Sequence, residues 1–510
     1  MTIMTGTSTT ARPASLRQCG TSALPIRTRR MRSLLRSLLG LLVVATFAGC
    51  DFLDPTEVTN PTVTQDDFIN LPNAATTWTH GVERQLAIAV NDLVLFGEVG
   101  SDNLFNNRTL FTRTFDIPEM EPVDAAVVSM QREVQRLRAM ADDGLNLVVP
   151  ADEGATDETR ARLHYHRAYA SLAAGEYFVG LPAEGNGPVL GPQAHLEAAI
   201  QDFEEARGLS SDPTLQGAAT LGIARAHHRM GNMDEAVAAA EQVRANDPLL
   251  LRSVEYDISD GPTNTMQTAI YDSGQDEFQP LPRMDFLFPK YFSVSATDQS
   301  AIAIAKGEEA FLILAEAALA RNDLQGARDL MVEVLGIVDQ RPTAMVDDES
   351  QQRGRAGGTW IYPNRSEVLV AASPDDEPLP GLVLDRQDGP VEVPTVSGTS
   401  VTADRIAGAQ SEEALLELLY LMRQEIFVVE GRRIVDLGIR LPVALEEAEA
   451  NENISLDADV LRPFIPAWIP GDRGMNRFDY EDGDEVAVIH HNLNRALVEN
   501  RTSDAILPFH

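Results

Sequence analysis

A helix–turn–helix pattern that occurs twice is the feature that most constrains the fold of this chain. In residues 216–248, small alanines let two helices approach, Gly231 permits the turn between them, and Pro248 ends the second helix. Residues 308–339 show the same pattern, with apolar residues at helical spacing. A single hairpin of this kind cannot bury its apolar face, so neighbouring hairpins must stack. The pattern predicts tetratricopeptide-like helical hairpins that form an α-solenoid.

Helical periodicity extends beyond these two segments. Apolar residues recur at spacings of three and four over 73–99, 123–142 and 411–437. A degenerate hairpin over 156–209 extends the first hairpin region to 156–248. The alternation of apolar and polar residues that is typical of strands is scarce. The sequence therefore predicts a mainly α fold.

Three long segments, 249–300, 341–410 and 455–510, interrupt the helical pattern. They are rich in Pro, Gly, Asp and Asn and show little periodicity. Loops of that length inside a folded protein are usually functional or disordered. We expect one domain over 73–510, in which these irregular segments supply the ligand-binding region.

The amino terminus has the pattern of an export signal. An apolar run over 38–47 follows a basic stretch and is too short for a membrane span, which needs roughly 20 residues. The letters AGC at 48–50 resemble a bacterial lipobox, whose cysteine is acylated. We predict a signal peptide over 1–49, lipidation at Cys50 and a tether over 50–72 that holds the protein on a membrane. An ordinary signal peptide with an incidental cysteine is the alternative.

The charge balance excludes one class of ligand. The chain has 41 Lys+Arg against 77 Asp+Glu, a net charge of −36. A protein with this charge repels polyphosphates, so we expect no nucleic-acid partner. The two cysteines, Cys19 and Cys50, lie in no CxxC motif and no Cys/His cluster. Neither a metal site nor a disulfide framework is expected from them.

Three stretches together resemble one protein family. They are the lipobox with CDFLD at 50–54, EEAFLILAEA at 308–317 and RQEIFVVEGRRIVDL at 423–437. In that order they resemble the motifs of the RagB/SusD-like nutrient-uptake outer-membrane lipoproteins. The resemblance implies a SusD-like helical fold, no enzymatic activity, no cofactor and a position facing the cell exterior. It also implies a glycan or peptide ligand and a TonB-dependent (SusC-like) outer-membrane transporter as partner.

The 423–437 stretch is dense in charged residues that allow two interpretations. These residues are Glu425, Glu430, Arg432, Arg433 and Asp436. Acid–base chemistry is one interpretation. The other is a buried charge network that holds this segment against its neighbours, because Arg pairs bidentately with carboxylates. We predict the structural network, since members of the family share the motif without sharing a reaction.

Candidate ligand contacts come from polar and aromatic residues in irregular sequence. Asp102 and Asn103 follow the first long helix and offer groups suited to hydroxyls, although helix capping is the alternative. Trp360 and Tyr362 lie in Gly-rich sequence, and Trp468 lies between two prolines. Each aromatic ring is suited to be a stacking platform for a ligand or a hydrophobic plug beneath a loop.

Other charged and histidine-rich motifs do not indicate chemistry. The pairs His164/His166, His227/His228 and His490/His491 place neighbours on different faces of an element, so no metal site is predicted. The acidic run 479–485 lacks the ligand spacing of an EF-hand, and a solvated loop is expected there. The sequence contains neither a phosphate-binding loop nor a nucleophile elbow.

These features predict a cell-surface lipoprotein that captures an oligosaccharide or similar ligand and delivers it to a TonB-dependent transporter. The alternative is a tetratricopeptide scaffold lipoprotein that helps assembly in the outer membrane or periplasm. Such a scaffold would carry repeats almost throughout, whereas long segments of this chain are irregular.

Overall fold

The computed structural model shows stacked helices joined by long irregular segments. It describes residues 68–106, 113–272, 278–293, 297–347, 361–385, 389–471, 474–503 and 509–510. These residues belong to one compact unit, Gln65–His510. The predicted signal segment, the lipidation site Cys50, most of the tether and the candidate Trp360 lie outside the described residues.

Helices dominate the described residues. The α-helices of six or more residues are α1 (Ala74–Val99), α2 (Ala125–Asp143), α3 (Asp157–Tyr177), α4 (Pro192–Leu209), α5 (Pro213–Arg229), α6 (Met233–Asn246), α7 (Glu308–Ala320), α8 (Leu324–Val338), α9 (Ala403–Gly408), α10 (Glu412–Ile426), α11 (Leu445–Ala450) and α12 (Leu493–Glu499). Shorter or non-α helical segments are Arg113–Asp116, Gly144–Val148, Val149–Ala151, Thr265–Gln267, Thr268–Asp272, Pro282–Tyr291, Arg433–Asp436, Asp459–Leu461 and Gly474–Asn476. The mainly α fold predicted from the sequence is confirmed.

Side-chain caps set where several of these helices begin. At the start of α3, the Thr156 hydroxyl accepts a hydrogen bond from the Thr159 amide at 3.1 Å. At the start of α10, the Ser411 hydroxyl accepts one from the Ala414 amide at 3.2 Å. Each cap satisfies a backbone N–H that has no partner within the first turn of the helix.

The first eight helices form the stack that the sequence pattern predicts. Each helix from α1 to α8 packs against the next one along the chain. A turn at Gly231, with φ at 74°, joins α5 to α6, and a similarly short turn joins α7 to α8. The helices approach closely, because a Cβ added at Gly222 of α5 would lie 2.5 Å from the Phe203 ring of α4. The predicted tetratricopeptide-like solenoid is confirmed.

Short strands connect the irregular segments. In the described residues they are β1 (Leu104–Asn106), β2 (Leu181–Pro182), β3 (Val189–Leu190), β4 (Leu251–Val254), β5 (Phe278–Pro280), β6 (Ile302–Lys306), β7 (Thr343–Val346), β8 (Leu369–Ala371), β9 (Val391–Pro394), β10 (Phe478–Asp479) and β11 (Val486–Ile489). The pairs β1–β5, β2–β3, β4–β6, β7–β9 and β10–β11 are antiparallel, and β11 runs parallel to β8. Segments far apart in sequence thus meet at specific registers.

The helix predicted over 411–437 is shorter than expected. It ends at Ile426, and a turn separates it from the short helix Arg433–Asp436. Two residues of that turn have positive φ, Val429 at 54° and Gly431 at 76°. A Cβ added at Gly431 would lie 2.7 Å from the Leu93 carbonyl oxygen of α1. The helix breaks because the chain must pass this close to α1, which helical periodicity alone does not reveal.

Substitution of Gly431 tests this close approach. We expect Gly431→Ala to lower the free energy of unfolding by about 2 kcal/mol or more, because a side chain at positive φ is strained and the Leu93 carbonyl would have to move. Urea denaturation followed by circular dichroism measures the change. As a control, Gly208→Ala on the exposed face of α4 meets no atom within 4 Å. That control should raise stability by about 0.5–1 kcal/mol. Equal stability of the two variants would contradict the packing described at Gly431.

Candidate functional site

The charged residues of the 423–437 stretch lie in the interior of the protein. Those named as a candidate network are all buried: Glu425, Glu430, Arg432, Arg433 and Asp436. Arg432 forms an ion pair with Glu309 of α7, and Arg423 Nε lies 2.8 Å from Asp436 Oδ2. Removal of one partner of a buried pair leaves an uncompensated charge, which is strongly destabilising. Their burial and pairing agree with a structural role.

Phe427 lies at the centre of this charged cluster. Its ring centroid is 4.8 Å from Lys306 Nζ, 5.1 Å from Arg432 Cζ and 5.4 Å from Arg423 Cζ. An aromatic face attracts cations within about 6 Å. The ring and the paired carboxylates together allow three cations to share a buried volume.

Both lysines of the chain take part in the same cluster. Lys306 Nζ donates to Glu430 Oε1 at 2.8 Å and to the Ile426 carbonyl at 2.6 Å. Lys290 Nζ lies 2.5 Å from the same Glu430 oxygen. Burial lowers the pKa of Lys306 to about 8, despite the opposing effect of Glu430. Both lysine side chains are therefore part of the buried cluster.

The structure corrects the predicted role of Asp102 and Asn103. Both side chains are fully buried. Asp102 Oδ1 lies 2.5 Å from Arg433 Nε, and its Oδ2 lies 3.0 Å from Arg283 Nη2. Asn103 Oδ1 accepts a hydrogen bond from Gln424 Nε2 at 2.9 Å. Since their polar atoms are already paired, these residues hold α1 against the 423–437 segment and do not face a ligand.

The Glu309 carboxylate shows how strongly this cluster is coupled. Burial raises its pKa, but the Arg432, Arg225 and Arg423 guanidinium groups outweigh burial and lower the pKa to about 2. The pKa values of Asp436 and Glu176 are also lowered by neighbouring guanidinium groups against the effect of burial. A carboxyl group whose folded-state pKa is depressed stabilises the fold above its unfolded-state pKa.

We expect the free energy of unfolding to fall as the pH decreases from about 4.5 towards 2, the window set by the Glu309 shift. In this window the unfolded state binds the proton first, and Glu309 accounts for about 3 kcal/mol of the loss. Urea denaturation at a series of pH values measures the slope. Glu309→Gln should lower stability at pH 7 by about 3–5 kcal/mol, because it leaves buried arginines without their partner. It should also flatten the acid slope, and an unchanged slope would contradict the assignment.

The aromatic candidates occupy different environments. The Tyr362 side chain is buried, with its ring centroid 6.3 Å from that of Phe105 and 5.9 Å from that of Phe478. It fits the hydrophobic-plug interpretation and offers no open face for stacking. Trp468 is half-buried and packs against the core, so part of its side chain faces outward. Trp360 stays a prediction, since it lies outside the described residues.

A cavity lies where the irregular segments meet α10 and α12. Its volume is about 160 Å³. The lining combines aliphatic side chains with carboxylate, amide, hydroxyl and guanidinium groups: Arg283, Val370, Ala372, Asp376, Glu377, Leu379, Leu382, Ser400, Arg405, Glu417, Leu418, Leu421, Glu425, Asn492 and Asn494. Much of this lining comes from the predicted loop-rich regions 341–410 and 455–510. We call it the loop cavity.

One side of the loop cavity is an ion-pair cluster. Glu417 Oε1 accepts a hydrogen bond from Asn492 Nδ2 at 2.8 Å, and Arg495 Nη2 lies 2.5 Å from Asp376 Oδ1. Burial raises the pKa of Asp376, but hydrogen bonds from Arg495 and Ser373 outweigh it and the pKa is lowered. The Asp376 carboxylate is therefore charged and oriented by fixed neighbours.

The opposite side of the loop cavity joins the buried charge cluster. Arg283 and Asn494 both donate to the Gln424 side-chain oxygen, the latter at 2.9 Å. Glu425 accepts hydrogen bonds from the Ser400 amide at 2.7 Å and the Ser400 hydroxyl at 2.6 Å. Burial raises the pKa of Glu425 despite these bonds. These hydrogen bonds hold the polar groups in fixed positions. A ligand that bound here would therefore cause little further loss of side-chain conformational entropy.

Sequence reasoning missed Asp376, Glu417 and Asn492. They come from three separated segments, and none belongs to a motif with fixed spacing. Only the pairing of β8 with β11 and the packing of α12 on α10 bring them together. The richness of segments 341–410 and 455–510 in Asp, Asn and Gly was the signal available for Asp376 and Asn492, whereas Glu417 lies in the predicted helix 411–437.

Two of the histidine pairs place one ring beside a carboxylate. His228 Nε2 lies 2.9 Å from Glu316 Oε2, and His490 Nε2 lies 2.9 Å from Asp479 Oδ1. Within the described ranges, no group of three or more His, Cys, Asp or Glu side chains is placed to hold a metal ion. In the same ranges, no helix has both the length and the apolar character that a membrane span requires.

Comparison with solved structures identifies chains with the same architecture. A SusD superfamily protein from Bacteroides vulgatus has a TM-score of 0.50 and 11% identity, over 76% of this chain and 99% of its own. A SusD superfamily protein from Parabacteroides distasonis also has a TM-score of 0.50 and 11% identity, over 75% of this chain and 98% of its own. No family model and no curated protein matches the sequence. The shared architecture confirms the resemblance predicted from the sequence at the level of the fold: this chain has the fold of the SusD superfamily.

Proposed function

We propose that this protein is a non-enzymatic nutrient-binding lipoprotein of the cell surface. It captures an oligosaccharide or similar polyhydroxylated ligand and delivers it to a TonB-dependent outer-membrane transporter. The observation that carries the proposal is the loop cavity on a SusD fold, lined by fixed carboxylate and amide groups beside aliphatic side chains. Such a mixture suits the hydroxyl groups and C–H faces of a sugar.

The size of the loop cavity limits how much of a ligand it can enclose. Its volume of about 160 Å³ is below the roughly 300–1,000 Å³ of pockets that enclose a drug-sized ligand. The cavity therefore takes one end or one residue of a longer ligand, whose remainder lies over the surface. Trp468, whose side chain is half-buried, stays a candidate for ligand contact.

The scaffold alternative is less well supported. The helical hairpins account for α3 to α8, but the loop cavity is lined by residues of α9, α10, α12 and β8 and of the segments between them. A protein that served only as a helical scaffold would not need fixed polar groups in a concave site. We therefore assign ligand capture to these segments, and the solenoid supports them.

Substitutions in the loop cavity test capture. Glu417→Gln and Asn492→Ala should each weaken binding of the best ligand in a glycan and peptide screen at least tenfold, since each removes a charged or hydrogen-bonding group (about 1.4 kcal/mol). Isothermal titration calorimetry gives the dissociation constants. Glu205→Gln, an exposed change on α4, is the matched control and should leave affinity unchanged. Trp468→Ala and Trp360→Ala test the aromatic candidates. If neither cavity variant alters affinity, the ligand binds elsewhere.

Substitution of Cys50 tests the anchor and the partner. The wild-type protein should fractionate with outer membranes and carry acyl groups on Cys50, and Cys50→Ser should move to the soluble fraction. Two or three long acyl chains give a permanent anchor, because each buried methylene contributes about 0.8 kcal/mol. Mass spectrometry of the amino-terminal peptide detects the acylation.

Affinity purification of the anchored protein from membranes should recover a TonB-dependent barrel. An unacylated wild-type protein without such a partner would refute the proposal.

A further inference from the structure

A second cavity lies on a different part of the molecule. It is bounded by α1, α3, β4 and the turn that follows β4, and its volume is about 600 Å³. It shares no lining residue with the loop cavity. Its volume lies within the roughly 300–1,000 Å³ range of small-molecule sites. We call it the arginine cavity, because Arg84, Arg162 and Arg252 all line it.

Arg252 packs against an aromatic ring. Its guanidinium carbon lies 4.7 Å from the centroid of the Tyr165 ring, which fixes the plane of the group. Its Nε atom is buried and has no hydrogen-bond partner among the described residues. A guanidinium group presents its donors in a rigid fork that matches a carboxylate. Arg252 is therefore a fixed cation with a donor still unpaired.

The other two arginines differ in how far they are already paired. Arg162 forms an ion pair with Glu83, which neutralises both. Arg84 is exposed and donates from Nε to the Gly261 carbonyl oxygen at 3.0 Å, which leaves its charge uncompensated by any ion pair of the described residues. Arg84 and Arg252 thus provide the free positive charge of the cavity.

His166 adds a second unpaired group. Its side chain is fully buried, it lines the cavity, and neither ring nitrogen has a hydrogen-bond partner among the described residues. Burial lowers its pKa to about 3, and Arg252 and Arg162 add to the effect. The imidazole is therefore neutral at physiological pH and offers one donor and one acceptor. A buried polar group without a partner is costly and calls for an explanation.

The remaining residues that line the cavity are acidic at the rim and apolar along one wall. Glu255, Asp257 and Asp260 lie at the exposed rim, and the Asp257 carboxylate accepts hydrogen bonds from the Ser259 and Asp260 amides. Leu86, Val254, Tyr256 and Ile304 give an apolar wall. The cavity thus combines the fixed guanidinium group of Arg252, a neutral donor–acceptor pair and an apolar face, with Arg84 and the three carboxylates at its exposed rim.

We propose that the arginine cavity binds a hydroxylated carboxylate such as a uronic-acid residue of an acidic sugar. The carboxylate pairs with Arg252 and Arg84, a ring hydroxyl forms a hydrogen bond with one nitrogen of His166, and the C–H face of the ring lies on the apolar wall. This site is independent of the ligand proposed for the loop cavity.

Three small molecules test the carboxylate contact and the hydroxyl contact separately. D-galacturonate has the carboxylate and the hydroxyls, D-galactose has hydroxyls only, and acetate has a carboxylate only. The full mature protein is titrated with each at equal ionic strength, and ligand-observed NMR gives the dissociation constants. Galacturonate should bind at least about tenfold more tightly than either other probe. Equal affinity for galactose and galacturonate, or for acetate and galacturonate, would overturn the proposal, as would no detectable binding of galacturonate at about 10 mM.

Variants then assign the roles of the residues. Arg252→Gln should weaken galacturonate binding at least about tenfold. His166→Phe should weaken galacturonate binding but leave acetate binding unchanged, since acetate has no hydroxyl. Arg136→Gln is the matched control, because Arg136 lines a separate cavity of similar size. Circular dichroism checks that each variant is folded, and Arg84→Gln at the exposed rim replaces Arg252→Gln if the latter is not. Unchanged galacturonate affinity in the folded arginine and histidine variants would overturn the assignment.

Discussion

The buried ion pairs around Phe427 are the interaction on which the rest of the structure depends. They join α7, through Glu309, to the 423–437 segment, and Asp102 joins that segment to the end of α1. Elements that lie hundreds of residues apart in sequence meet here. Buried charges are tolerated only when they are closely paired. The pairing therefore constrains the relative placement of α1, α7 and the 423–437 segment.

The same cluster gives the loop cavity its rigidity. Arg283, Gln424 and Asn494 connect the buried ion pairs to the cavity lining through hydrogen bonds. A polar site held in place by its surroundings loses little conformational entropy when a ligand binds. The solenoid supports this arrangement mechanically, while the short strand pairs fix the segments that carry Asp376 and Asn492. The buried ion pairs and the lining of the loop cavity thus form one continuous hydrogen-bonded network.

In the arginine cavity, a guanidinium group is stabilised in a different way. In the cluster around Phe427, the carboxylates Glu309 and Asp436 compensate the buried arginines, whereas at Arg252 an aromatic ring provides the support and one donor is left unpaired. A strongly acidic protein repels anions at long range, with a net charge of −36. Selection of an acidic ligand would then depend on short-range pairing inside the cavity.

The sequence by itself determined the helical class, the stacked hairpins and the resemblance of the 423–437 stretch, because helical periodicity and a turn at a residue such as Gly231 are local properties. It also indicated that the charges of that stretch form a structural network. Only the tertiary structure decided that Asp102 is buried against Arg433, that the helix breaks at Ile426, and that Glu417 and Asn492 meet in one cavity. Those outcomes depend on contacts between distant segments, which no local pattern of residues encodes.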